Sequence, residues 1–434
     1  MGRNGIVANV TERSYAEALD REAPLTRFRE RFYVQPDVIY MDGNSLGLLS
    51  IDAEESLLRV IDQWKSLGIG GWLEAEPAWF YLGEELGRQM APLVGARPES
   101  LVVAGGTTIN LHTLVATFYN PSGARRKIVA NELDFPSDIY ALEAQIALRG
   151  GEPERDLVKV PSRDGRTIAE EDVIAALTDD VALLLLPSVL YRSGQLFDIE
   201  RLTAAAHERG MLVGWDCCHS VGSIPHDFDA WDVDFAFWCN YKYLNAGPGS
   251  IGALYVNQRH FDVIPALPGW WGYEKTRQFD MSHAFEPARG AGAWQISTVS
   301  VLSAAPLLGS LAMFAEAGID AVRAQSLAMT DYLIELLEGS GLLASPYHYA
   351  IGTPAEHARR GGHVAVEHEH GPQIARALKQ RGVVPDFRQP NVVRLAPIPF
   401  YVTYVDCWET VQQLRAIIDS GEYLQQPAER DVVA

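Results

Sequence analysis

The sequence predicts an α/β fold with a mostly parallel central sheet, helices on both faces of that sheet, and a smaller α+β unit near the C-terminus. Two observations lead to this prediction. Strand and helix patterns alternate along residues 101–256, which is typical of a parallel sheet covered by helices. In addition, the predicted strand at residues 181–186 reads VALLLL. A segment that is apolar on both faces is typical of a strand in the middle of such a sheet.

The predicted elements follow in a regular order. After a helix at 51–67, the predicted strands are 101–104, 127–130, 157–160, 181–186, 211–216, 234–238 and 251–256, and the helices between them are 107–118, 137–148, 169–177 and 200–208. Gly210 follows the last of these helices, where a glycine commonly ends a helix. A helical stretch at about 299–339 then leads to strand 363–367, helix 372–381, strands near 383–387 and 392–395, and a helix at 406–420.

These elements predict three regions in the chain. They are an N-terminal segment at 1–50, a large α/β domain at 51–310, and a small α+β domain at 311–434. The first 20 or so residues are polar, which indicates a loose tail or an arm over a partner subunit. In open α/β sheets, ligands bind beyond the carboxyl ends of the strands, so we expect a functional site at that edge of the large domain.

Composition excludes several classes of protein. The chain has 434 residues, 47% of them hydrophobic, which is enough to bury a large core. It carries 36 basic and 56 acidic residues, a net charge of −20, and this balance argues against binding to nucleic acids or anionic membranes. Residues 1–10 do not read as a signal peptide, and no apolar run reaches 18 residues. We therefore expect a cytoplasmic protein whose four cysteines are reduced.

An aspartate and a lysine suit one cofactor, pyridoxal phosphate (PLP). Asp216 ends the apolar strand at 211–216, and Lys242 lies in the run FWCNYKYLNAGPG at 237–249. PLP needs a carboxylate that keeps its ring nitrogen protonated and an amine that forms an imine with its aldehyde. Taken singly, the lysine is more simply a surface residue and the aspartate a cap. Their combination predicts a PLP enzyme, whose substrate would be a small molecule of the amino-acid class.

A strand that runs through two glycines into a helix predicts a phosphate site. Residues 103–110 read VAGGTTIN, and apolar residues at helical spacing follow. The free N–H groups and the dipole of a helix N-terminus bind phosphate, and Thr107 and Thr108 add hydroxyl groups there. The simpler alternative is that a threonine merely caps the helix.

Two other nucleotide motifs are absent or out of context. The sequence has no GxxxxGK[ST], so an ATPase or GTPase is not supported. GPGSIG at 247–252 matches GxGxxG, but it contains a proline and leads into a predicted strand where a dinucleotide site needs a helix. A non-catalytic dinucleotide-binding protein is therefore the weaker alternative.

Six stretches, taken together, resemble kynureninase, a PLP-dependent hydrolase of the aminotransferase-like fold, fold type I. They read YMDGNSLG at 40–47, FPSD at 135–138, WDCCHSVG at 215–222, YKYLNAG at 241–247, GWWG at 269–272 and RLAPIP at 394–399. The resemblance extends from about residue 27 to residue 421. It implies a homodimer with shared active sites, in which each subunit completes the cofactor and substrate sites of the other.

The resemblance also implies which residues contact the cofactor. They are Thr107, Thr108, Phe135, Asp138, Asp216, His219, Tyr241 and Lys242 of one subunit, with Trp270 and Thr298 of the partner subunit. Lys242 would bind PLP covalently, Asp216 would pair with the ring nitrogen, and His219 would lie beside it. Tyr241 would contact the phosphate and donate a proton during the reaction. Lys242, Tyr241, Asp216 and His219 are thus the implied catalytic residues.

A second group of residues is expected at the substrate. It consists of Asn44, Ser45, Trp72, Tyr273, Ser297 and Arg394. The Arg394 guanidinium would hold the α-carboxylate, since an arginine fork suits a carboxylate. The implied reaction is hydrolysis of the Cβ–Cγ bond of L-kynurenine to alanine and anthranilate, or of 3-hydroxy-L-kynurenine to alanine and 3-hydroxyanthranilate. Whether it would serve tryptophan breakdown, NAD supply or secondary metabolism stays open.

The substrate half of the chain departs from the family pattern. Residues 271–273 and 297–300 differ from the segments that many relatives have there, residues 72–80 are richer in Trp and Glu, and Cys217 and Cys218 replace a Leu/Phe-Ala type of pair. A paralogue that cleaves a modified kynurenine or another β-acyl alanine therefore stays an alternative, as does another fold type I PLP lyase or desulfurase.

One histidine-rich stretch could be mistaken for a metal site. His363, His368 and His370 lie near Glu367 and Glu369, and alternate residues of a strand share a face. No second group of ligands stands at a typical distance along the chain. We predict no metal.

Overall fold

A seven-stranded sheet forms the centre of the protein in the computed structural model, which describes residues 9–429. The helices are α1 (Arg13–Glu22), α2 (Ile51–Leu67), α3 (Gly71–Glu74), α4 (Leu82–Val94), α5 (Thr107–Phe118), α6 (Pro136–Leu148), α7 (Pro153–Asp156), α8 (Glu170–Ala176), α9 (Ile199–His207), α10 (Val301–Ala317), α11 (Ile319–Gly339), α12 (Gly371–Gln380) and α13 (Tyr404–Ser420). The strands are β1 (Ile39–Tyr40), β2 (Leu101–Val103), β3 (Lys127–Asn131), β4 (Leu157–Val160), β5 (Val181–Pro187), β6 (Leu212–Asp216), β7 (Phe235–Cys239), β8 (Gly252–Val256), β9 (Ala350–Ile351), β10 (Val364–Glu367), β11 (Val383–Val384), β12 (Asp386–Arg388) and β13 (Val392–Leu395).

The central sheet has the strand order β2-β8-β7-β6-β5-β3-β4. All of its strands run parallel except β8, which is antiparallel to both β2 and β7. Strand β5 shows why the sheet is buried on both sides. Leu184 and Leu186 lie in the core on one face, and Leu183 and Leu185 lie in the core on the other. The prediction of a mostly parallel sheet with helices on both faces is confirmed.

A smaller four-stranded antiparallel sheet, in the order β12-β13-β10-β9, lies in the C-terminal part of the chain. It places β13 beside the carboxyl ends of the large sheet, since the Arg394 side chain bonds the backbone of Tyr191 beyond β5. The division into residues 1–50, 51–310 and 311–434 stays a prediction.

Two predicted elements are each interrupted in the structure, one strand by a proline and one helix by a glycine. The single strand expected at 383–387 is wrong: Pro385 separates β11, which pairs with β1, from β12, which pairs with β13. Proline lacks the N–H that a continuous ladder needs. The helical stretch expected at 299–339 is two helices, because Gly318 adopts a positive φ of 78° that ends α10.

The described part of the N-terminal segment packs against the C-terminal part of the same chain. The prediction that residues 1–10 are not a signal peptide falls mostly on residues 1–8, which lie outside the described residues. Helix α1 packs against α13, and the Asp20 carboxylate accepts hydrogen bonds from the N–H groups of Tyr404 and Val405 at 2.7 and 3.0 Å. These bonds satisfy free amides at the start of α13. The described part of this segment is therefore not a loose tail.

Among residues 9–429, no single helix is long and apolar enough to cross a membrane. Helices α10 and α11 meet the length and composition test only as a pair, with a bend of 81° between them.

Candidate active site

One cavity of about 220 Å³ lies at the carboxyl ends of the parallel strands. It is lined by Asn44, Ser45, Thr107, Thr108, Phe135, Ser137, Asp138, Pro187, Val189, Tyr191, Asp216, Cys218, His219, Tyr241, Lys242, Arg388 and Arg394. The strands β2, β3, β5, β6 and β7 all end here, and the loops that follow them supply most of these side chains. Most residues that the sequence predicted for a site are thus brought together where an open α/β sheet binds its ligand.

Lys242 and His219 form a close pair inside the cavity. The Lys242 Nζ lies 2.9 Å from His219 Nε2. Burial and the nearby Lys242 charge hold the pKa of His219 well below its ordinary value, so the ring stays neutral at physiological pH. His219 Nδ1 is buried without a hydrogen-bond partner in the described residues.

Asp216 lies at the end of β6 with its carboxylate fixed by the backbone. The Cys218 N–H donates to Asp216 Oδ1 at 2.8 Å, and the Ser188 N–H donates to the Asp216 carbonyl at 2.7 Å. These bonds orient the side chain toward the cavity, which it lines.

Two more carboxyl groups lie near Asp216. Burial, together with the charges of Asp216 and Asp134, raises the pKa of Asp138 well above its ordinary value. Burial also raises the pKa of Asp134 to about 8, although Asp134 accepts a hydrogen bond from the Asn131 N–H at 2.9 Å. Asp138 Oδ2 has no hydrogen-bond partner in residues 9–429, so it is free to contact a ligand in the cavity.

The N-terminus of α5 forms one end of the cavity. Gly105 has a positive φ of 56°, a conformation that glycine adopts without strain, and no side chain caps the helix at Gly106. The Thr108 hydroxyl lies 2.7 Å from the Ser137 hydroxyl, and Thr107 also lines the cavity. Free amides, a helix dipole and hydroxyl groups together make this end suitable for an anion.

Phe135 supplies an exposed aromatic ring to the cavity wall. The residue is 46% exposed and lies at the N-terminus of α6. It meets Tyr191 edge to face, with ring centres 5.4 Å apart and an interplanar angle of 89°. A flat, accessible apolar face of this kind can stack on a planar ligand.

Arg394 is buried at the end of the cavity formed by the small sheet. Its Nη1 donates to the Tyr191 carbonyl at 2.6 Å and its Nη2 donates to Ser45 Oγ at 2.9 Å, and it forms an ion pair with Asp386. Burial lowers the pKa of Arg394 to about 10, which leaves it a cation at neutral pH. Beside it, the fully buried Asn44 amide has no hydrogen-bond partner in the described chain.

Five predicted site residues do not line the cavity of their own chain: Trp72, Trp270, Tyr273, Ser297 and Thr298. Trp72 packs between Trp79 and Trp271 and borders a separate groove. Tyr273 is buried beside Phe285. Trp270, Ser297 and Thr298 are exposed. Their predicted roles in the site of a partner subunit stay predictions.

Sequence reasoning missed six residues of the cavity lining: Ser137, Pro187, Val189, Tyr191, Cys218 and Arg388. Ser137 carries a usable signal, because it lies inside the FPSD motif between two predicted contacts. Arg388 carries one too, as a charged residue beside a short apolar strand. Tyr191 lies in a loop, and only the folded chain shows that it meets Phe135.

The histidine-rich stretch is divided between two environments. His363 is buried near His219, with ring centres 6.3 Å apart, whereas His368 and His370 pack on Tyr423. In the part of the chain that the structure describes, no three His, Cys, Asp or Glu side chains are grouped as a metal ion would require.

Comparison with known proteins gives a family over nearly the whole chain. The family model described as the kynureninase C-terminal domain matches residues 322–414. A kynureninase from Geobacillus thermodenitrificans is 53% identical over 420 residues, which cover 97% of this chain and 97% of that protein.

Solved structures show the same fold at low sequence identity. A cysteine desulfurase from Thermococcus onnurineus superposes with a TM-score of 0.75 at 17% identity, covering 92% of this chain and 97% of that one. A C-DES variant with glycine linked covalently to its PLP cofactor gives a TM-score of 0.74 at 19% identity, covering 89% and 98%. The predicted aminotransferase-like α/β fold is confirmed.

Proposed function

Because the chain belongs to the kynureninase family, we propose that it hydrolyses the Cβ–Cγ bond of L-kynurenine or 3-hydroxy-L-kynurenine with the help of PLP. The reaction consumes one water and releases L-alanine with anthranilate or 3-hydroxyanthranilate. The observation that carries the proposal is the convergence of Lys242, Asp216 and Arg394 on one cavity, in a chain 53% identical to a kynureninase over 97% of its length.

The cavity has the groups that PLP requires. An amine, a carboxylate, an exposed aromatic ring and a helix N-terminus surround one space: Lys242, Asp216, Phe135 and the start of α5. Buried polar atoms of Asn44, Asp138 and His219 lack partners within residues 9–429. Such atoms are costly to bury unless a ligand bonds them. We infer that PLP and an amino-acid substrate together satisfy them.

PLP, when bound, supplies an electron sink for the α-carbon of the substrate. Lys242 would hold the cofactor and then move the α-proton, because its amine is the base nearest to the space that the substrate must enter. Neutral His219 accepts a hydrogen bond from that amine and keeps it oriented. Asp216 would stabilise the protonated ring nitrogen. Arg394 would hold the α-carboxylate at the opposite end of the cavity.

Tyr241 is the proposed proton donor to the β-carbon after the Cβ–Cγ bond breaks. It lines the cavity one residue before Lys242. Burial raises the pKa of its phenol above the ordinary value, so the hydroxyl keeps its proton at every pH where the enzyme is expected to work.

A homodimer would complete the site. The groove lined by Trp64, Ile69, Trp72, Trp79 and Leu302 is apolar, and Ile69 is 84% exposed. Large exposed apolar patches mark interaction surfaces. The exposed residues Trp270, Ser297 and Thr298 lie outside their own cavity, so we propose that they enter the cavity of a second copy. We also propose a cytoplasmic location, since all four cysteines are free thiols.

The test offers L-kynurenine and 3-hydroxy-L-kynurenine separately to the purified, PLP-loaded protein and measures alanine and the aromatic acid. Equal molar amounts of both products from either substrate support the proposal. Failure with both substrates, while PLP remains bound, would favour a paralogue that acts on another β-acyl alanine. A desulfurase has less support, because all four cysteines are buried and that reaction needs an accessible nucleophilic thiol.

A further inference from the structure

Two guanidinium groups face the active-site cavity, and only Arg394 was expected there. Arg388 ends β12, and the register of the small sheet pairs Asp386 with Arg394 and Arg388 with Val392. Residues opposite each other on neighbouring strands, and residues two apart on one strand, project from the same face of a sheet. Arg388, Asp386 and Arg394 therefore share one face, and both arginines line the cavity.

Most of the hydrogen-bonding capacity of Arg394 is already used. Its Nη1 donates to the Tyr191 carbonyl and its Nη2 to Ser45 Oγ. Its Nη2 also forms an ion pair with Asp386, and its Nε is without a partner in the described residues. The side chain is 1% exposed and therefore has a fixed position. A carboxylate has about four acceptor sites on its two oxygens, more than Arg394 alone can satisfy.

Arg388 has donors to spare. Its Nη2 lies 3.3 Å from Asp386 Oδ1, and its Nη1 reaches the Phe387 carbonyl only at 3.5 Å. Its Nε is buried and has no partner in residues 9–429. A guanidinium has five N–H donors, so several of them stay available. The side chain is 31% exposed, which leaves it room to move toward a ligand.

The charges around Arg388 favour an anionic ligand. Asp386 and Asp42 are the acidic groups that face the two arginines. Burial raises the pKa of Asp42, against the opposing charges of Arg394 and Arg388. Two guanidinium groups nevertheless line this wall of the cavity, where they would stabilise the α-carboxylate of a substrate.

We propose that Arg388 is a second carboxylate-binding residue, which holds the α-carboxylate of the substrate together with Arg394. This inference rests on the proposed function and makes it more specific. It explains why the small sheet presents two cations to one cavity. It also assigns the enzyme a preference for free α-amino acids over their amides, because an amide lacks the charge that two guanidinium groups recognise.

The test titrates the PLP-loaded enzyme with L-alanine and with L-alaninamide and follows the cofactor absorbance. We expect Arg388→Gln to weaken L-alanine binding at least ten-fold and to change L-alaninamide binding less than about three-fold. Arg381→Gln is the matched control: Arg381 is 30% exposed, pairs with Glu422 and does not line this cavity. It should change neither affinity.

Two results would overturn the assignment. One is an equal loss of affinity for both ligands, which would mean that Arg388 only shapes the cavity. The other is unchanged L-alanine binding in Arg388→Gln. Should that variant fail to fold, Arg388→Lys decides in its place, since lysine keeps the charge and loses the fork. We expect an intermediate loss of about three- to ten-fold for L-alanine and none for the amide, and equal effects would again refute the role.

The titration separates this inference from the proposed reaction, because it needs no turnover. A wild-type enzyme that binds L-alanine through Arg388 but releases no anthranilate from kynurenine would refute the reaction alone. Where the reaction does occur, Arg388→Gln should raise KM for L-kynurenine about ten-fold and change kcat by less than about three-fold.

Discussion

Lys242 Nζ lies 2.9 Å from Nε2 of His219, and this contact gives the lysine amine a neutral neighbour. His219 has a strongly lowered pKa because it is buried, so its Nε2 accepts a hydrogen bond without forming an ion pair. A carboxylate at that position would hold the ammonium form of the lysine. The imidazole orients the amine without acting as its counter-ion.

Replacing Lys242 by alanine should remove the covalent bond to the cofactor. We expect borohydride to fix PLP to the wild-type protein at Lys242 and not to Lys242→Ala, and turnover to fall by at least about 10³-fold, since both the covalent attachment and the base are lost. Mass spectrometry of the reduced protein locates the modified residue.

Lys275→Met is the control for this substitution. Lys275 is also largely buried, and burial lowers its pKa to about 8, so it is the most plausible competing amine. The control should keep full modification at Lys242. Modification that persists in Lys242→Ala at the wild-type level would contradict the assignment.

Tyr241→Phe should slow turnover while PLP still binds. The raised pKa of this phenol keeps it a proton donor, and a positioned donor contributes roughly 10²-fold or more. We therefore expect kcat to fall about 100-fold with cofactor affinity changed only slightly. Tyr243→Phe is the matched control, because the Tyr243 hydroxyl is buried without a partner in the described residues and lies outside the cavity lining. Unchanged turnover in Tyr241→Phe would remove this residue from the mechanism.

Much of the fold could be predicted because its strands are short apolar segments between clear breaks. Strand β5 and the helix after Gly106 needed no information beyond the local pattern. Helix α4 was not predicted, since Gly83, Gly87 and Pro92 weaken its helical pattern. The structure gives the reason for one glycine: a Cβ at Gly87 would lie 2.5 Å from the Leu101 carbonyl, so only glycine lets α4 approach β2 this closely.

Residues of the candidate site could be predicted where a short sequence motif itself indicates their chemical role. Residues that reach the site through long-range packing could not. Lys242 and Asp216 stand out only as a pair, because a lysine among aromatic residues and a carboxylate at a strand end together suit PLP. Arg388 carries a local signal as a charged residue beside a short apolar strand, but it reaches the cavity only because the small sheet lies against the carboxyl ends of the large sheet. That packing depends on contacts between residues about 200 positions apart, such as Arg394 with Tyr191, which a single sequence does not reveal.

The contribution of Lys275 to the stability of the protein should rise with pH between about 8 and 10.5. Its ammonium lies 4.1 Å from the centre of the Trp271 ring and 3.7 Å from Glu84 Oε1, in a side chain that is 9% exposed. Burial lowers the pKa of Lys275 to about 8 from 10.5. Between these values the unfolded chain binds a proton that the folded chain does not, so deprotonation favours folding.

Urea unfolding of the wild type and of Lys275→Met measures this effect. The wild-type free energy of unfolding, relative to that of the variant, should rise by up to about 3 kcal/mol from pH 8 to pH 10.5. The same comparison with Lys65→Met should stay flat, because Lys65 is 70% exposed. A difference that is constant over this range for Lys275→Met would show that the amine titrates normally.

A mixture of two inactive variants should recover activity if the sites are shared between subunits. Lys242→Ala should inactivate the site of its own chain. Trp270→Ala should instead impair the site of the partner subunit, because Trp270 is exposed and does not line the cavity of its own chain. A hybrid dimer would then have one site with both substitutions and one intact site. After the two variants are unfolded and refolded together in equal amounts, half of the dimers are hybrids, so about a quarter of the wild-type activity should return.

Analytical ultracentrifugation checks that the refolded species is a dimer. Absence of recovery from a dimeric mixture, with Trp270→Ala inactive alone, would place Trp270 in the site of its own subunit.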